Sequence, residues 1–203
     1  MGKVKAGATM SLDGFIAGPN DSGFDRLFKW YQGGDVEVPM PDDTAGVPVS
    51  HVSPATANLM RKEMASWGAL VVGRHLYDFT NGWNGRHPLG VTTVVLTHRP
   101  PDDRPQADDN FVFVTEGIEA AVAKAREIAG DKDVAVNSGQ MARQALEAGL
   151  LDEIGVDVVP VILGKGKPFF ADLTIGPLEF EGPILTVQGA GVTHLRYRVA
   201  GRS

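Results

Sequence analysis

Between residue 4 and about residue 164 the chain alternates short apolar runs with stretches whose apolar residues recur at helical spacing; beyond that point only strand-like alternation remains. The first apolar run is Val4 to Met10, followed by the turn Ser11-Leu12-Asp13-Gly14 and a small group, Phe15-Ile16-Ala17. Residues 18–52 are crowded with Gly, Pro and Asp around one amphipathic piece, Asp25 to Tyr31, and a loop of that length signals a functional or mobile insert. Ser53-Pro54 offers an N-cap and a proline at the first helical position, which predicts a helix to about Trp67. Leu70 to Gly73, Thr92 to Thr97 and Phe111 to Thr115 are short β-branched or apolar runs and read as strands. Apolar residues at Ile118, Ala121, Val122, Ala125, Ile128 and Ala129 predict a helix closed by Gly130. A strand over Asp133 to Asn137, a helix over about Gln140 to Ala148 and a strand over Ile154 to Val161 follow. Leu178 to Glu181 and Thr193 to Val199 alternate apolar with polar residues, as half-exposed antiparallel strands do.

Alternation of strand and helix demands a largely parallel sheet with helices on its faces. The pattern therefore predicts an α/β fold, a mixed and mostly parallel sheet with an antiparallel C-terminal ribbon, in one domain spanning residues 1–203. In such sheets ligands sit in the crevice outside the carboxyl ends of the parallel strands. After the first strand comes Ser11-Leu12-Asp13-Gly14, and after Leu70 to Val72 comes Gly73-Arg74-His75-Leu76. The next strand ends in Thr97-His98-Arg99, and the one before the last helix ends in Asn137-Ser138-Gly139-Gln140-Met141. Three of these four ends offer basic side chains or helix-start N–H groups suited to phosphate. A ligand with several separated phosphates would satisfy all three.

Composition narrows the partners. A formal net charge of −6 over 203 residues provides no broad basic surface for nucleic acid or an anionic membrane. No cysteine is present, which excludes disulfides, thiolate metal sites and cysteine nucleophiles. The N-terminus has no signal-like apolar core and no segment is apolar enough for a membrane span, so a cytoplasmic protein is expected. A strand-like C-terminal ribbon with an exposed edge makes a homodimer an expectation of the fold type.

Taken together, MSLDGFIAG, LVVGRHLYDF, VVLTHRP, VNSGQMARQAL, LLDEIGVDVVPVILGKG and PFF resemble the dihydrofolate reductase superfamily, in the branch that includes the reductase domain of the riboflavin-biosynthesis deaminase-reductase. The resemblance implies a dihydrofolate-reductase-like three-layer fold and an NADPH-dependent reductase acting on a small heterocyclic (pterin- or pyrimidine-like) or carbonyl substrate. It implies that Gly73, Arg74, His75 and Leu76 carry cofactor phosphates, that Thr97, His98 and Arg99 surround the adenosine 2′-phosphate, and that Ser138, Gly139, Gln140 and Met141 touch the pyrophosphate. The family more often has paired glycines where Ser138 stands. Thr9, Ile16 and Ala17 would pack on the nicotinamide as part of a flexible lid. Asp25 best matches the carboxylate that pairs with the pterin ring, ahead of the aromatic wall Phe28, Trp30 and Tyr31. A riboflavin-pathway reductase and a non-catalytic nucleotide-binding protein of the same fold stay open as alternatives.

Each of these residues also has a plainer reading. Arg74 and His75 could be an exposed helix start, Arg99 a solvated loop cation, Asp13 a turn residue of Asp-Gly, and Asp25 a helix cap. Gly164-Lys165-Gly166-Lys167 lacks the glycine spacing and the Ser or Thr of a phosphate loop and reads as a turn bordering the nicotinamide. Asn137-Ser138-Gly139 lacks the first glycine of a nucleophile elbow, and the five histidines show no metal-ligand spacing. No catalytic side chain is assigned, since hydride transfer asks chiefly for positioning.

Overall fold

Strand β1 (Val4–Ser11) turns Val4 and Ala6 toward one side of a sheet and Lys5, Gly7 and Thr9 toward the other, so its two faces meet very different surroundings. The computed structural model describes residues 2–43, 46–102 and 110–201. After β1 the chain forms β2 (Phe15–Ala17), a single turn α1 (Phe24–Leu27), a 3-10 turn at Lys29–Gln32, and the hairpin strands β3 (Val36–Val38) and β4 (Ser50–Val52). Helix α2 (Pro54–Ser66) leads without a loop into β5 (Trp67–Gly73), which is followed by α3 (Arg74–Phe79), β6 (Thr92–Leu96) and β7 (Phe111–Val114). Then come α4 (Ile118–Ala129), β8 (Asp133–Asn137), α5 (Gln140–Glu147), β9 (Glu153–Val159), β10 (Lys167–Pro168), β11 (Phe180–Gly189) and β12 (Val192–Val199).

Eight strands make one sheet in the order β11-β12-β9-β1-β8-β5-β6-β7. β9, β1, β8, β5, β6 and β7 run parallel, and β12 and β11 close the β9 edge as an antiparallel ribbon. The α/β sheet expected from the sequence is thus the one formed. Helices α4 and α5 cover one face through Ile118, Ala121, Val122 and Ala125 and through Ala142, Ala145 and Leu146, packed on Val4, Val71, Val94 and Val134. Ser53 caps α2 by accepting the Thr56 N–H, and Pro54 occupies the first turn, as its sequence predicts. Among the described residues no helix is long and apolar enough to cross a membrane.

The differences from the sequence reading have local causes. β5 begins at Trp67 rather than Leu70: Gly68 lies flush against Ala129 and Lys132, where a Cβ would come within 2.8 Å of both, so the glycine that breaks the apolar run is the residue that fits inside the strand. The ribbon's first strand occupies Phe180–Gly189 instead of ending at Glu181. Gly182-Pro183 reads as a break, but the irregular register between Glu181 and Leu185 absorbs it. Residues 25–31 do not form one amphipathic helix: α1 stops at Leu27 and the 3-10 turn takes over.

The second face is where space is left. Helix α2 packs chiefly on β3 and β11, and α3 packs on β5 and β6, so the middle strands between them carry no helix on this side. Small residues, Gly7, Ala135 and Gly155, pave the exposed strip.

Candidate active site

A cleft of about 1120 Å³ runs along that strip, from the carboxyl ends of β1, β5 and β8 down to Lys5, Asp133 and Glu153 at their amino ends. β8 ends at Asn137, opposite Gly7, whereas β1 continues to Ser11 beside β9. The chain leaving β8 therefore turns away and opens the upper part of the cleft. Gly139, at φ 72 and ψ −130, makes this turn in a conformation that suits glycine.

At this upper end the structure gathers Thr9, Ile16 and Ala17 from the first loop, Gly73, His75 and Leu76 from the β5–α3 turn, and Ser138, Gly139, Gln140 and Met141 from the β8–α5 turn. Several donors expected for phosphate are already engaged. The Gly139 N–H donates to the Phe169 carbonyl at 2.9 Å, Met141 is buried in the core, and the Gln140 amide oxygen accepts from Arg143. Arg74, Thr97, His98 and Arg99 do not line the cleft itself. Arg74 donates from Nε to Asp78 at 2.7 Å and from Nη1 to the Arg99 carbonyl at 2.6 Å, which ties the β5 and β6 ends together. Thr97 Oγ1 donates to the Arg99 carbonyl, His98 is exposed, and the Arg99 guanidinium pairs with Asp102 in solvent. Among the described residues no cluster of three His, Asp or Glu could hold a metal ion.

Asp25 is not at the cleft. Its side chain is 74% exposed and pairs with the adjacent Arg26. α1 begins on Gly23 in the left-handed conformation, which swings Asp25 outward and leaves Phe24, Phe28 and Tyr31 lining the cavity. The carboxylate that reaches the mouth is Asp21. It accepts from His75 Nε2 at 3.0 Å and from Lys167 Nζ, and Lys167 also lies 2.9 Å from His75 Nε2. The hydrogen bond from Lys167 is the main reason the Asp21 carboxyl titrates below its ordinary value.

The first loop is pinned rather than free. Asp13 accepts from Ser11 Oγ at 2.7 Å and from the N–H groups of Leu163 and Gly164 at 3.1 and 2.7 Å, and these bonds, Ser11's first, hold its carboxyl below the usual range. β2 pairs with β10, and the approach at Gly166 is so close that a Cβ there would sit 1.9 Å from the Ala17 carbonyl oxygen.

The β9 side of the cleft, level with Thr9, holds groups the sequence did not single out. Register places Asp157 on β9 opposite Thr9, and β12 sets His194 opposite Asp157. Asp157 Oδ1 accepts from His194 Nδ1 at 2.8 Å and from Arg196 Nη1 at 2.9 Å, while Arg196 grips Glu63 of α2 through Nε and Nη2 at 2.7 and 2.9 Å. Burial opposes ionisation of Asp157, yet the His194 and Arg196 contacts outweigh it and keep the carboxyl below its ordinary pKa. His194 is buried and its Nε2 contacts Thr56 Oγ1 at 3.1 Å. Trp30 donates to Thr9 Oγ1 at 3.2 Å and stacks on Tyr31 with ring centroids 4.0 Å apart. The polar alternation His194, Arg196 was the available signal; it looks like a solvent face but turns toward α2.

Comparison with known proteins agrees with this fold. Of solved structures, a riboflavin biosynthesis protein from Shewanella sp. PV-4 superimposes with a TM-score of 0.67 at 20% identity, covering 97% of this chain and 98% of the other. Acinetobacter baumannii RibD gives 0.65 at 17% identity over 98% of this chain and 58% of that one, and Enterococcus faecalis dihydrofolate reductase gives 0.53 at 16% identity over 98% and 96%. The uncharacterized Bacillus subtilis protein YwjB is 25% identical over 105 residues, which are 52% of this chain and 59% of that protein's length. The RibD C-terminal domain model matches residues 3–193, and the chain belongs to that family.

Proposed function

We propose that the protein is an NADPH-dependent reductase that delivers a hydride to a small heterocyclic or carbonyl substrate. The observation that carries this reading is one cleft that joins the loop ends after β1, β5 and β8 to a polar group around Asp157 on the β9 side. Family membership supports a reductase-type role, and the Enterococcus faecalis dihydrofolate reductase of like fold was solved in complex with NADP(H).

The residues present fit such a cofactor. Ile16, Ala17 and Leu76 offer apolar contact for a nicotinamide and its ribose, while His75 and Lys167 stand at the mouth as donors for phosphate. Arg74 and Arg99, linked through the Arg99 carbonyl, form the station for a 2′-phosphate, with Thr97 fixing that turn and His98 beside it. When bound, the nicotinamide supplies the hydride. The chain's part is to hold the ring beside Thr9, exclude water with the pinned first loop and fix the acceptor against the β1–β9 strip. Phe28, 42% exposed and stacked on Phe24 at 5.7 Å, borders the entrance on the substrate side. Titration with NADPH should give saturable nicotinamide fluorescence; absence of binding at high micromolar concentration would remove the assignment.

A further inference from the structure

We propose that Tyr31 and Asp157 are the two polar groups that face the substrate, Tyr31 as hydrogen-bond donor and Asp157 as acceptor. The inference rests on the reductase reading and adds which residues read the substrate and what they select.

Asp157 has one oxygen to spare. Both His194 and Arg196 donate to Oδ1, and among the described residues nothing donates to Oδ2. The side chain is 20% exposed and lines the cleft. Two firm donors on one oxygen fix the carboxylate plane, so Oδ2 is presented in a set direction. Tyr31 is the complementary case. Its ring is clamped between Trp30 and Phe28, it lines the same cleft, and among the described residues its hydroxyl has no hydrogen-bond partner. The hydroxyl is not sealed from solvent and is therefore free to donate to a ligand in the cleft. Burial first, then the Asp157 and Glu63 carboxylates, raise the tyrosine pKa and keep the hydroxyl protonated. Tyr31 therefore orients a substrate by donating and does not give up its proton.

Both groups are tied to Thr9. Asp157 stands opposite it in register, and Trp30, stacked on Tyr31, donates to its hydroxyl. Thr9 belongs to the end of the cleft assigned to the nicotinamide, so donor and acceptor flank the position of the hydride acceptor. The floor beneath is flat: Gly7 and Gly155 bear no side chains, and the Arg196 side chain lies across Gly155, 2.9 Å from where a Cβ would be. The charged groups around the pair are Glu63 and Lys62 from α2, Arg196 and His194 from β12, and Asp157 itself. Arg196 is matched by the Glu63 and Asp157 carboxylates, and Lys62 stands at the cleft wall. The pocket selects a planar ring whose carbonyl or ring nitrogen accepts from Tyr31 and whose neighbouring N–H donates to Asp157.

The test uses lumazine, a fluorescent planar ring with adjacent carbonyl and N–H groups, and its N,N′-dimethyl derivative, which lacks those N–H groups. The full-length protein should bind lumazine saturably and the dimethyl ring at least about tenfold more weakly. Asp157→Asn should weaken lumazine by about tenfold and Tyr31→Phe, which keeps the stacked ring, by about fivefold, with NADPH binding unchanged within about twofold. No lumazine binding at millimolar concentration, equal affinity for both rings, or wild-type affinity in Tyr31→Phe would overturn the proposal. Failure of NADPH to bind the wild-type protein would instead defeat the reductase reading, and the two ring titrations are read independently of it.

Discussion

Replacing His87 with Asn should make the fold less sensitive to acid. His87 lines the cleft; its Nδ1 accepts the Leu89 N–H at 3.1 Å and its ring meets Trp83 edge to face at 4.5 Å. Acceptance at Nδ1 requires a neutral imidazole with its proton on Nε2. Burial pushes the pKa down to about 4 from an ordinary 6.5. Because the folded value is the lower one, the unfolded chain takes up the proton first. Stability from the neutral ring is thus complete above pH 6.5 and drains away as pH falls toward 4. Evaluating the two titration curves near pH 4.5 gives a loss of roughly 2–3 kcal/mol. Asn keeps a short acceptor for the Leu89 N–H and does not titrate. Guanidinium unfolding near pH 7.5 and near pH 4.5 should show the wild type losing roughly 2–3 kcal/mol more than the variant between the two conditions. The carboxylate losses are common to both and cancel in the difference. Equal losses would show that His87 is not held neutral in the folded state, and the argument from burial would fail.

Three further outcomes follow from the site. Asp21→Asn should tighten NADPH binding by roughly two- to fivefold, because the carboxylate competes with phosphate for Lys167 and His75; weaker binding in a fluorescence titration would make Asp21 a cofactor ligand instead. Gly166→Ala, which drives a methyl group into the Ala17 carbonyl, should part β2 from β10 and cost roughly 2–4 kcal/mol in chemical denaturation; an unchanged midpoint would contradict the close approach. Arg196→Met leaves Glu63 and Asp157 without their shared cation and should cost about 2–3 kcal/mol, less than a fully buried network because Glu63 is 30% exposed. A loss below about 0.5 kcal/mol would place that network among ordinary surface pairs.

The periodic parts of the fold were legible because each answers to a local rule. Helix α4 has its apolar stripe and Gly130, α2 has Ser53 and Pro54, and β6 and β7 are short β-branched runs. The loop ends proposed for the cofactor could be located for a similar reason: strand ends are found by counting, and Gly73, His75 and Ser138 to Met141 line one cleft. The groups proposed for the substrate could not be found that way. Asp157, His194 and Glu63 lie on three elements, up to 131 residues apart between Glu63 and His194. Only strand register and the packing of α2 bring them together. Asp25 was the wrong carboxylate because α1 is one turn long, too short for a helical pattern to fix which way its side chains point. Arg74 kept its place after β5, where Asp78 and the Arg99 carbonyl engage its Nε and Nη1.

The position of β1 also shapes how the molecule is made. It precedes every other strand of its sheet in the chain, yet its sheet partners are β8 and β9, whose residues follow it by 130 and nearly 150 positions. At translation rates of roughly 5–20 residues per second, β1 waits several seconds or longer without a partner. Its sequence, VKAGATMS, is mild for a central strand, with Lys5, Gly7 and Thr9 along one edge of the pleat. The same small and polar residues that leave room for a ligand in the finished protein also make the nascent strand a poor template for aggregation.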